Sequence, residues 1–465
     1  MTTSSPTRPT RRTRPIFLAL ICLIALIHGA LYIVNMRPDW DVAWTDQAGY
    51  KQLGAVLAET GKFTRYPDYP TFVPEVIRTP GYPAFVALIY RLFGVGNDIA
   101  VTAAQAIAYA ALCLVVFAIA RRIAATRVAT IAALLTALFA PLAHFAALVL
   151  TEFWTTFVAT IAMVFVLRAV QQQRLADFAG GGLLLSATTL VRPAFVLLPF
   201  FLAVAMPVVV RSQRNASAVR GWGVLALAAA ITLLPWFTYN YVYLGRFTLS
   251  PAGGIGRGLW EGSWQGLWPG RVQAELTALA EANVDVESRV RAIADANSQR
   301  PDLMLQYVRE WRTIHDLWDA PQDPLERASA RVRADSEYLA AAMNNIRRDP
   351  IGHATRRLTY GLFVLWAADI PIRYSEINRT PTLIVRLIWL AQVAILLLAA
   401  IGCLTLARRG RWTETVLLAL PLVYVTGVHL PLLCEARQSL PVKPLVIVLA
   451  AVGIGRFISP GSADS

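Results

Sequence analysis

The chain has 465 residues, of which 56% are hydrophobic and 15% are charged, and its formal net charge is +14. A soluble domain usually carries about 25% charged residues, so this composition excludes an ordinary soluble globular protein. The apolar residues fall in runs of roughly 20, the length that crosses the hydrocarbon core of a bilayer. The sequence therefore predicts an α-helical polytopic membrane protein.

The basic residues collect at one end of the apolar runs, which is typical of the cytoplasmic ends of membrane spans. This distribution explains the net charge without a nucleic-acid partner. The four cysteines are scattered along the chain, with neither the spacing of a disulfide framework nor that of a metal site. No Walker A, H-E-x-x-H or C-x-x-C motif is present.

The N-terminal residues 1–15 are predicted to form a basic cytoplasmic tail, followed by an apolar run at about 16–35. A cleaved signal peptide is the competing interpretation. The run is longer than a typical signal-peptide core and no convincing cleavage site follows, so we predict an uncleaved first span. Residues 36–98 then form the first outer loop. Within it, residues 82–93 form either a helix on the outer membrane surface or the start of the second span.

Nine further spans are predicted, at about 99–120, 128–142, 146–167, 178–191, 194–210, 221–238, 383–406, 413–430 and 441–457. The transmembrane core thus covers 16–238, and further transmembrane helices cover 383–458 before a cytoplasmic tail at 459–465. Residues 239–382 are mostly polar and predict an extracytoplasmic, mainly helical domain. Its amphipathic end, 350–371, is placed at the membrane interface. That placement puts the basic cluster at 408–411 and both termini in the cytoplasm.

This topology places five ionisable residues on the outer side. Charged residues at or within spans are costly and indicate functional sites. Each residue also has an ordinary interpretation: a solvated loop for the aspartates, a structural ion pair for the glutamate, and interfacial anchoring for the arginines. The five residues are Asp41, Asp46, Glu152, Arg192 and Arg437.

Acids and arginines at one membrane face suit a lipid-linked phosphate substrate. A guanidinium binds two phosphate oxygens at once, and a carboxylate can take a proton from an attacking hydroxyl or amine. Aromatic side chains can stack on a sugar face, although each is also explained by the aromatic belt of a membrane protein. The aromatic candidates for sugar or acceptor binding are Tyr50, Tyr82 and Trp260.

Several short motifs occur in a fixed order along the chain. They are Asp46-x-x-x-Tyr50, Arg78-Thr79-Pro80-Gly81-Tyr82-Pro83, Gln105, Thr151-Glu152, Leu190-Val191-Arg192-Pro193, Pro235-Trp236 with Asn240-Tyr241, and Glu435-Ala436-Arg437. In this order the chain resembles membrane glycosyltransferases of the GT-C superfamily, of the protein-mannosyltransferase and aminoarabinose-transferase type (glycosyltransferase family 39-like). One position departs from the family, because Tyr239 precedes Asn240 where an arginine is common.

The resemblance implies a GT-C-like core of about ten transmembrane helices. It also implies transfer of a sugar from a polyprenyl-phosphate donor to a cell-envelope acceptor, at the outer face of the bacterial inner membrane. The acceptor class, whether lipid, polysaccharide or protein, stays open. The catalytic aspartate would be Asp46, with Asp41 as second choice, and Glu152 matches a second acidic position. Candidates for binding the donor phosphate are Arg78, Arg192 and Arg437.

The expected reaction is a single, inverting displacement with Asp46 as general base or acceptor-orienting group. The sequence shows no dedicated metal-ligand cluster, and a divalent cation held by Asp46 and Glu152 is an open alternative. A transporter or flippase for a lipid-linked substrate is the alternative function. It predicts polar groups near the bilayer midplane and repeated, broken helices. A non-catalytic scaffold would leave the outer acids and arginines unexplained.

Overall fold

The computed structural model describes residues 13–40, 45–252, 254–282, 285–319, 321–377 and 379–458. All regular secondary structure within these ranges is helical. The predicted terminal tails lie outside the described residues, except for residues 13–15, which belong to the first helix. The predicted helical fold class is confirmed.

Ten α-helices form the first part of the chain. Residues 82–93, for which the sequence left two interpretations, form a separate helix, α3. The ten are α1 (Thr13–Met36), α2 (Thr45–Thr60), α3 (Gly81–Phe93), α4 (Asp98–Ile123), α5 (Thr126–Ala137), α6 (Ala140–Ala146), α7 (Thr151–Gln172), α8 (Leu175–Val191), α9 (Leu198–Val209) and α10 (Ala216–Leu244).

Five helices in the polar middle of the chain surround an aromatic core of their own. The indole N–H groups of Trp260 and Trp264 donate to one carboxylate oxygen of Glu310, at 2.7 and 3.3 Å, and Tyr307 stacks on Trp260. Buried indoles need such acceptors, so Glu310 fixes how the aromatic rings pack. The helices are α11 (Ile255–Trp264), α12 (Gly270–Glu281), α13 (Val286–Ala296), α14 (Pro301–Asp319) and α15 (Pro324–Arg348).

The last part of the chain contains two irregular turns that matter for the site. A π-helical turn at Arg357–Gly361 joins α16 to α17, and a 3₁₀ turn at Ala436–Val442 leads into α21. The α-helices here are α16 (Pro350–Arg356), α17 (Leu362–Ala367), α18 (Tyr374–Ile377), α19 (Thr382–Arg408), α20 (Trp412–His429) and α21 (Lys443–Ile458).

Six helical segments within the described ranges are long and apolar enough to cross a bilayer: Pro15–Met36, Asp98–Ile123, Thr151–Gln172, Ala216–Leu244, Thr382–Arg408 and Ala436–Ile458. The pair α5 and α6, bent by 51°, makes a seventh if it is one span. The bend falls inside the predicted third span, because a new helix with Pro141 in its first turn begins there at Ala140. Each of the ten predicted spans coincides with helix, and those at 178–191 and 194–210 coincide with shorter apolar helices.

Two packing contacts bring distant parts of the chain to one end of the helices. α2 packs on α3, and the first residue of α3, Gly81, meets the last turn of α8. A Cβ atom at Gly81 would lie 2.7 Å from the carbonyl oxygen of Leu190, so this approach requires glycine. Because of this contact, the loop before α3 lies beside Arg192, which follows α8.

Candidate active site

Charged side chains from five segments meet at one end of the helices. The segments are the first turn of α2, the loop before α3, the first turn of α7, the residue after α8 and the turn before α21. Both acids of this group stand at helix N-termini, where the helix dipole favours negative charge. The side chains are those of Asp46, Arg78, Glu152, Arg192 and Arg437, each of which is a site candidate from the sequence.

The carboxylate of Asp46 is held between two arginines. Its Oδ1 lies 3.1 Å from Nη2 of Arg78, and its Oδ2 lies 3.4 Å from Nη1 of Arg437. Arg78 Nη2 also donates to the backbone carbonyl of Asp46, at 3.2 Å. The Asp46 side chain is 47% exposed, so a substrate can reach this carboxylate without breaking the fold.

The carboxylate of Glu152 is buried, with 2% of its side chain exposed. Its Oε1 accepts from Nη1 of Arg192 at 3.0 Å and lies 3.4 Å from Nη1 of Arg437. Its Oε2 is buried and has no hydrogen-bond partner within the described residues. Arg437 therefore bridges the exposed acid Asp46 and the buried acid Glu152.

A third acid, Glu435, belongs to the same network and was not predicted as a site residue. Its Oε2 lies 2.9 Å from Nη2 of Arg437. Glu435 also caps the 3₁₀ turn through reciprocal hydrogen bonds with Gln438. The signal in the sequence was its position two residues before Arg437 in the quoted motif.

The network contains three carboxylates and three guanidiniums, so its charges balance. Burial raises the pKa of Asp46, whereas the charges of Arg437 and Arg78 lower it, and the net shift is downward from 3.8. Asp46 is therefore ionised at neutral pH and available to accept a proton.

A cleft of about 190 Å³ opens over these groups, and Tyr50 forms part of its wall. The guanidinium carbon of Arg78 lies 4.6 Å from the centre of the Tyr50 ring, a cation–π contact. Tyr82 is fully buried behind Tyr50, edge-on at 5.2 Å, and its hydroxyl donates to Gln105 at 3.0 Å. Tyr50 thus faces the cleft, and Tyr82 supports it from behind.

The loop before α3 is shaped so that Arg78 points at α2. Oε1 of Glu75 accepts from the backbone N–H groups of Ile77 and Arg78, at 2.8 and 3.1 Å, and its Oε2 pairs with Arg65 at 2.5 Å. Arg78 then crosses α2 at Gly49, where a Cβ atom would lie 2.6 Å from the guanidinium carbon. Glycine at this position lets the arginine reach Asp46.

One sequence candidate, Trp260, lies elsewhere. Trp260 is in the aromatic core of the middle helices, hydrogen-bonded to Glu310, and does not line the cleft. Asp41 lies outside the described residues. Tyr239, which stands where the family commonly has arginine, stacks on Trp236 with ring centres 4.7 Å apart.

A second cleft of about 170 Å³ adjoins the first, since Arg437 lines both. Its wall also includes Glu435, His144 and the buried Asp369. Burial raises the pKa of Asp369 to about 6, against the opposing effect of Lys443. The two clefts thus share one arginine.

Within the described part of the chain, no group of three or more His, Cys, Asp or Glu side chains is placed to hold a metal ion. The two acids named for a cation, Asp46 and Glu152, are both paired with arginines. The arrangement as it stands can accept a proton at Asp46 and bind an anion at the guanidiniums.

Comparison with known proteins gave one family match. Residues 77–238, which include Arg78, Glu152 and Arg192, match the family described as dolichyl-phosphate-mannose-protein mannosyltransferase. A search of curated proteins gave no match.

Solved structures of two membrane proteins match the chain at low sequence identity. The oligosaccharyltransferase AglB from Archaeoglobus fulgidus, solved with an inhibitory peptide and a dolichol-phosphate, matches with a TM-score of 0.52 and 12% identity, over 97% of this chain and 52% of that one. Its apo form matches with a TM-score of 0.51 and 14% identity, over 93% and 50%. ArnT from Cupriavidus metallidurans matches with a TM-score of 0.41 and 19% identity, over 96% and 80%.

The chain spans about half the length of the oligosaccharyltransferases that it matches. The family match runs from the loop before α3 into α10, and the shared fold covers nearly all of the chain. Together they confirm the resemblance predicted from the motifs: the chain is a polytopic helical membrane protein whose fold is similar to that of an oligosaccharyltransferase and whose residues 77–238 are similar to protein mannosyltransferases.

Proposed function

We propose that the protein transfers a sugar from a polyprenyl-phosphate donor to a hydroxyl or amine of a cell-envelope acceptor. The reaction takes place at the outer face of the bacterial plasma membrane, where the sequence places Asp46. The observation that carries this proposal is the position of Arg437, which bridges an exposed and a buried carboxylate beside two further arginines. The matched family is named for a dolichyl-phosphate sugar, which is a donor of this class.

In the proposed reaction the acceptor oxygen or nitrogen attacks the anomeric carbon of the donor. Asp46 takes the acceptor's proton as the new bond forms. The bond between the anomeric carbon and the phosphate oxygen breaks, and its electron pair stays on the phosphate. Attack from the face opposite the leaving group inverts the anomeric centre.

The charges of the network suit this reaction. The donor is a phosphodiester with one negative charge, and the departing polyprenyl phosphate gains a second. Asp46 loses its charge when it is protonated, so total charge in the cleft is conserved. Arg78 and Arg437, which pair with Asp46 before the reaction, can then turn to the phosphate and stabilise the leaving group.

The proposal is tested by donor turnover in the purified, lipid-reconstituted protein. A panel of undecaprenyl-phosphate sugars is supplied with envelope extract as the source of acceptor, and release of undecaprenyl phosphate is measured. Asp46→Asn should lower kcat by about 10²–10⁴-fold, the usual contribution of a general base. Its matched control is Asp68→Asn, an exposed aspartate of the same loop, which should retain wild-type turnover.

Other outcomes point to other functions. Full turnover by a folded Asp46→Asn variant would remove Asp46 from the base role. Movement of a labelled lipid across the bilayer without donor consumption would make the protein a transporter. The same assay with a chelator tests whether a divalent cation is needed. We propose that the arginines alone stabilise the charge of the leaving phosphate, so turnover should persist. Loss restored by a divalent metal would instead place a cation at Asp46 and Glu152.

A further inference from the structure

The backbone just before Glu435 and Arg437 is fastened to the middle helices by a group of hydrogen bonds. Gln265, the residue after α11, pairs with Cys434 in both directions: its Nε2 donates to the Cys434 carbonyl at 2.8 Å, and its Oε1 accepts from the Cys434 N–H at 2.9 Å. One residue earlier, the Leu433 N–H donates to the Gly258 carbonyl at 2.7 Å. The segment 432–434 therefore runs along α11 in one register.

A buried arginine completes this attachment. Arg357, in the π-helical turn and 3% exposed, donates from Nη1 to Oε1 of Gln265 at 2.8 Å and to the Leu432 carbonyl at 3.0 Å. Its Nη2 donates to the Gln265 carbonyl at 2.9 Å. No carboxylate of the described chain lies within ion-pair distance of it. Burying a guanidinium among neutral acceptors is costly, and π-helical turns often occur at functional sites.

The attachment fixes the register of the turn that carries Arg437. Gln438, in that turn, donates from Nε2 to the Leu433 carbonyl at 2.9 Å, and its carbonyl oxygen Oε1 accepts from the Glu435 N–H at 3.1 Å. A continuous set of hydrogen bonds thus runs from Arg357 through Gln265 and Cys434 to the 3₁₀ turn.

We propose that Arg357 and Gln265 are positioning residues that hold Arg437 at the donor phosphate, and that they link the middle helices to the reaction site. The proposal rests on the proposed function for the identity of the anion. If the attachment loosens, Glu435 moves together with Arg437, whereas Asp46 and Glu152, on other helices, do not. Arg437 would then keep its pair with Glu435 and lose the other two acids. The effect should fall on phosphate affinity, because Asp46 is untouched.

The experiment uses the full-length protein in lipid nanodiscs and two readouts. One is titration with undecaprenyl phosphate, and the other is hydrogen–deuterium exchange over residues 430–442. Arg357→Ala and Gln265→Ala should each weaken lipid-phosphate affinity by about tenfold, roughly the loss of one hydrogen bond to a charged group, and speed exchange in that segment. Arg357→Lys keeps the charge and loses the planar guanidinium with its several N–H donors. Its lipid-phosphate affinity and exchange rate should lie between those of the wild type and Arg357→Ala.

The matched control is Arg312→Ala. Arg312 also donates to backbone carbonyls of the middle helices, those of Ala280 and Leu279 at 3.1 and 3.2 Å. It does not contact residues 432–434. It should lower the melting temperature without changing lipid-phosphate affinity or exchange at 430–442. Unchanged affinity and exchange in both Arg357→Ala and Gln265→Ala would overturn the proposal, as would an equal loss of affinity in Arg312→Ala.

Failure of the proposed function is distinguishable from failure of this inference. If the wild-type protein does not bind undecaprenyl phosphate, the proposed donor is wrong. Hydrogen–deuterium exchange over residues 430–442 is then the test of whether Arg357 and Gln265 hold this segment. Faster exchange in the two variants would then still assign Arg357 and Gln265 to holding Arg437. Unchanged exchange would reject that assignment.

Discussion

At the scale of single residues, the candidate site was predictable where charge was unexpected in its surroundings. Asp46, Glu152 and Arg192 stand out because ionisable groups beside apolar runs are rare. Gln265 and Arg357 were not selected, because their roles depend on partners as far as 169 residues away in the sequence. Glu435 was not selected although its partner Arg437 lies two residues away. Trp260 was misplaced for a related reason: an aromatic residue in a polar stretch looks the same whether it binds a sugar or fills a core.

The pH dependence of turnover should report the arginines around Asp46. Because the net shift of the Asp46 pKa is downward, the carboxylate stays ionised until the pH falls below its ordinary value of 3.8, and kcat/KM should hold steady down to that point. In Arg78→Gln, one of the lowering charges is lost while burial still raises the pKa. The acid limb should therefore move to higher pH.

The measurement is the pH profile of kcat/KM for both proteins, with Arg91→Gln as control. Arg91 lies on α3 and donates to backbone carbonyls of α2 rather than to Asp46, so its profile should match that of the wild type. An acid limb in Arg78→Gln that coincides with the wild-type limb would show that another group accepts the proton.

At the scale of helices, the sequence located every apolar run but not how the runs break and meet. α4 is capped by Asn97, whose side chain accepts from the Ala100 N–H, and has Arg121 and Arg122 in its last turn. These are local signals that can be read from sequence. The bend between α5 and α6 and the contact of α3 with α8 depend on packing, which periodicity does not describe.

The contact at Gly81 should be sensitive to a single methyl group. Gly81→Ala places a Cβ atom against the Leu190 carbonyl, which should push α3 away from α8 and separate Arg78 from Arg192. We expect a loss of about 1–3 kcal/mol in stability, the usual range for overpacking, together with weaker donor binding. Thermal unfolding and donor KM measure the two effects.

Gly223→Ala is the matched control for that substitution. A Cβ atom there has no heavy atom within 4 Å, and alanine is the better helix former. Its stability should equal or exceed that of the wild type. If Gly81→Ala behaves like Gly223→Ala, the close approach of α3 and α8 does not set the spacing of the two arginines.

At the scale of the whole molecule, composition and run length were sufficient for the fold class, because a bilayer allows few alternatives to helices. The fold of the middle segment was predictable only as helical. Its core comes from aromatic and aliphatic residues spread over α11 to α15, whose contacts no local pattern specifies. The orientation in the membrane follows from charge asymmetry alone and is therefore the part to test directly.

The orientation prediction places Asp68 outside and Arg409 inside the cell. With the four native cysteines replaced, Asp68→Cys should react with a membrane-impermeant maleimide in intact spheroplasts, and Arg409→Cys only after the membrane is opened. Both positions are exposed, so accessibility to solvent does not separate them. The reverse pattern would put the cleft on the cytoplasmic side and refute the proposed site of transfer.

The bridge made by Arg437 also affects how the protein is synthesised. Asp46 and Arg437 are separated by 391 residues, so the ribosome delivers the carboxylate early and its guanidinium partner near the end. Until the turn before α21 has been made and inserted, Asp46 and Glu152 lack the arginine that they share, Arg437. A partly synthesised chain is therefore expected to be inert toward the proposed lipid donor, so that transfer begins only after the last helix is in place.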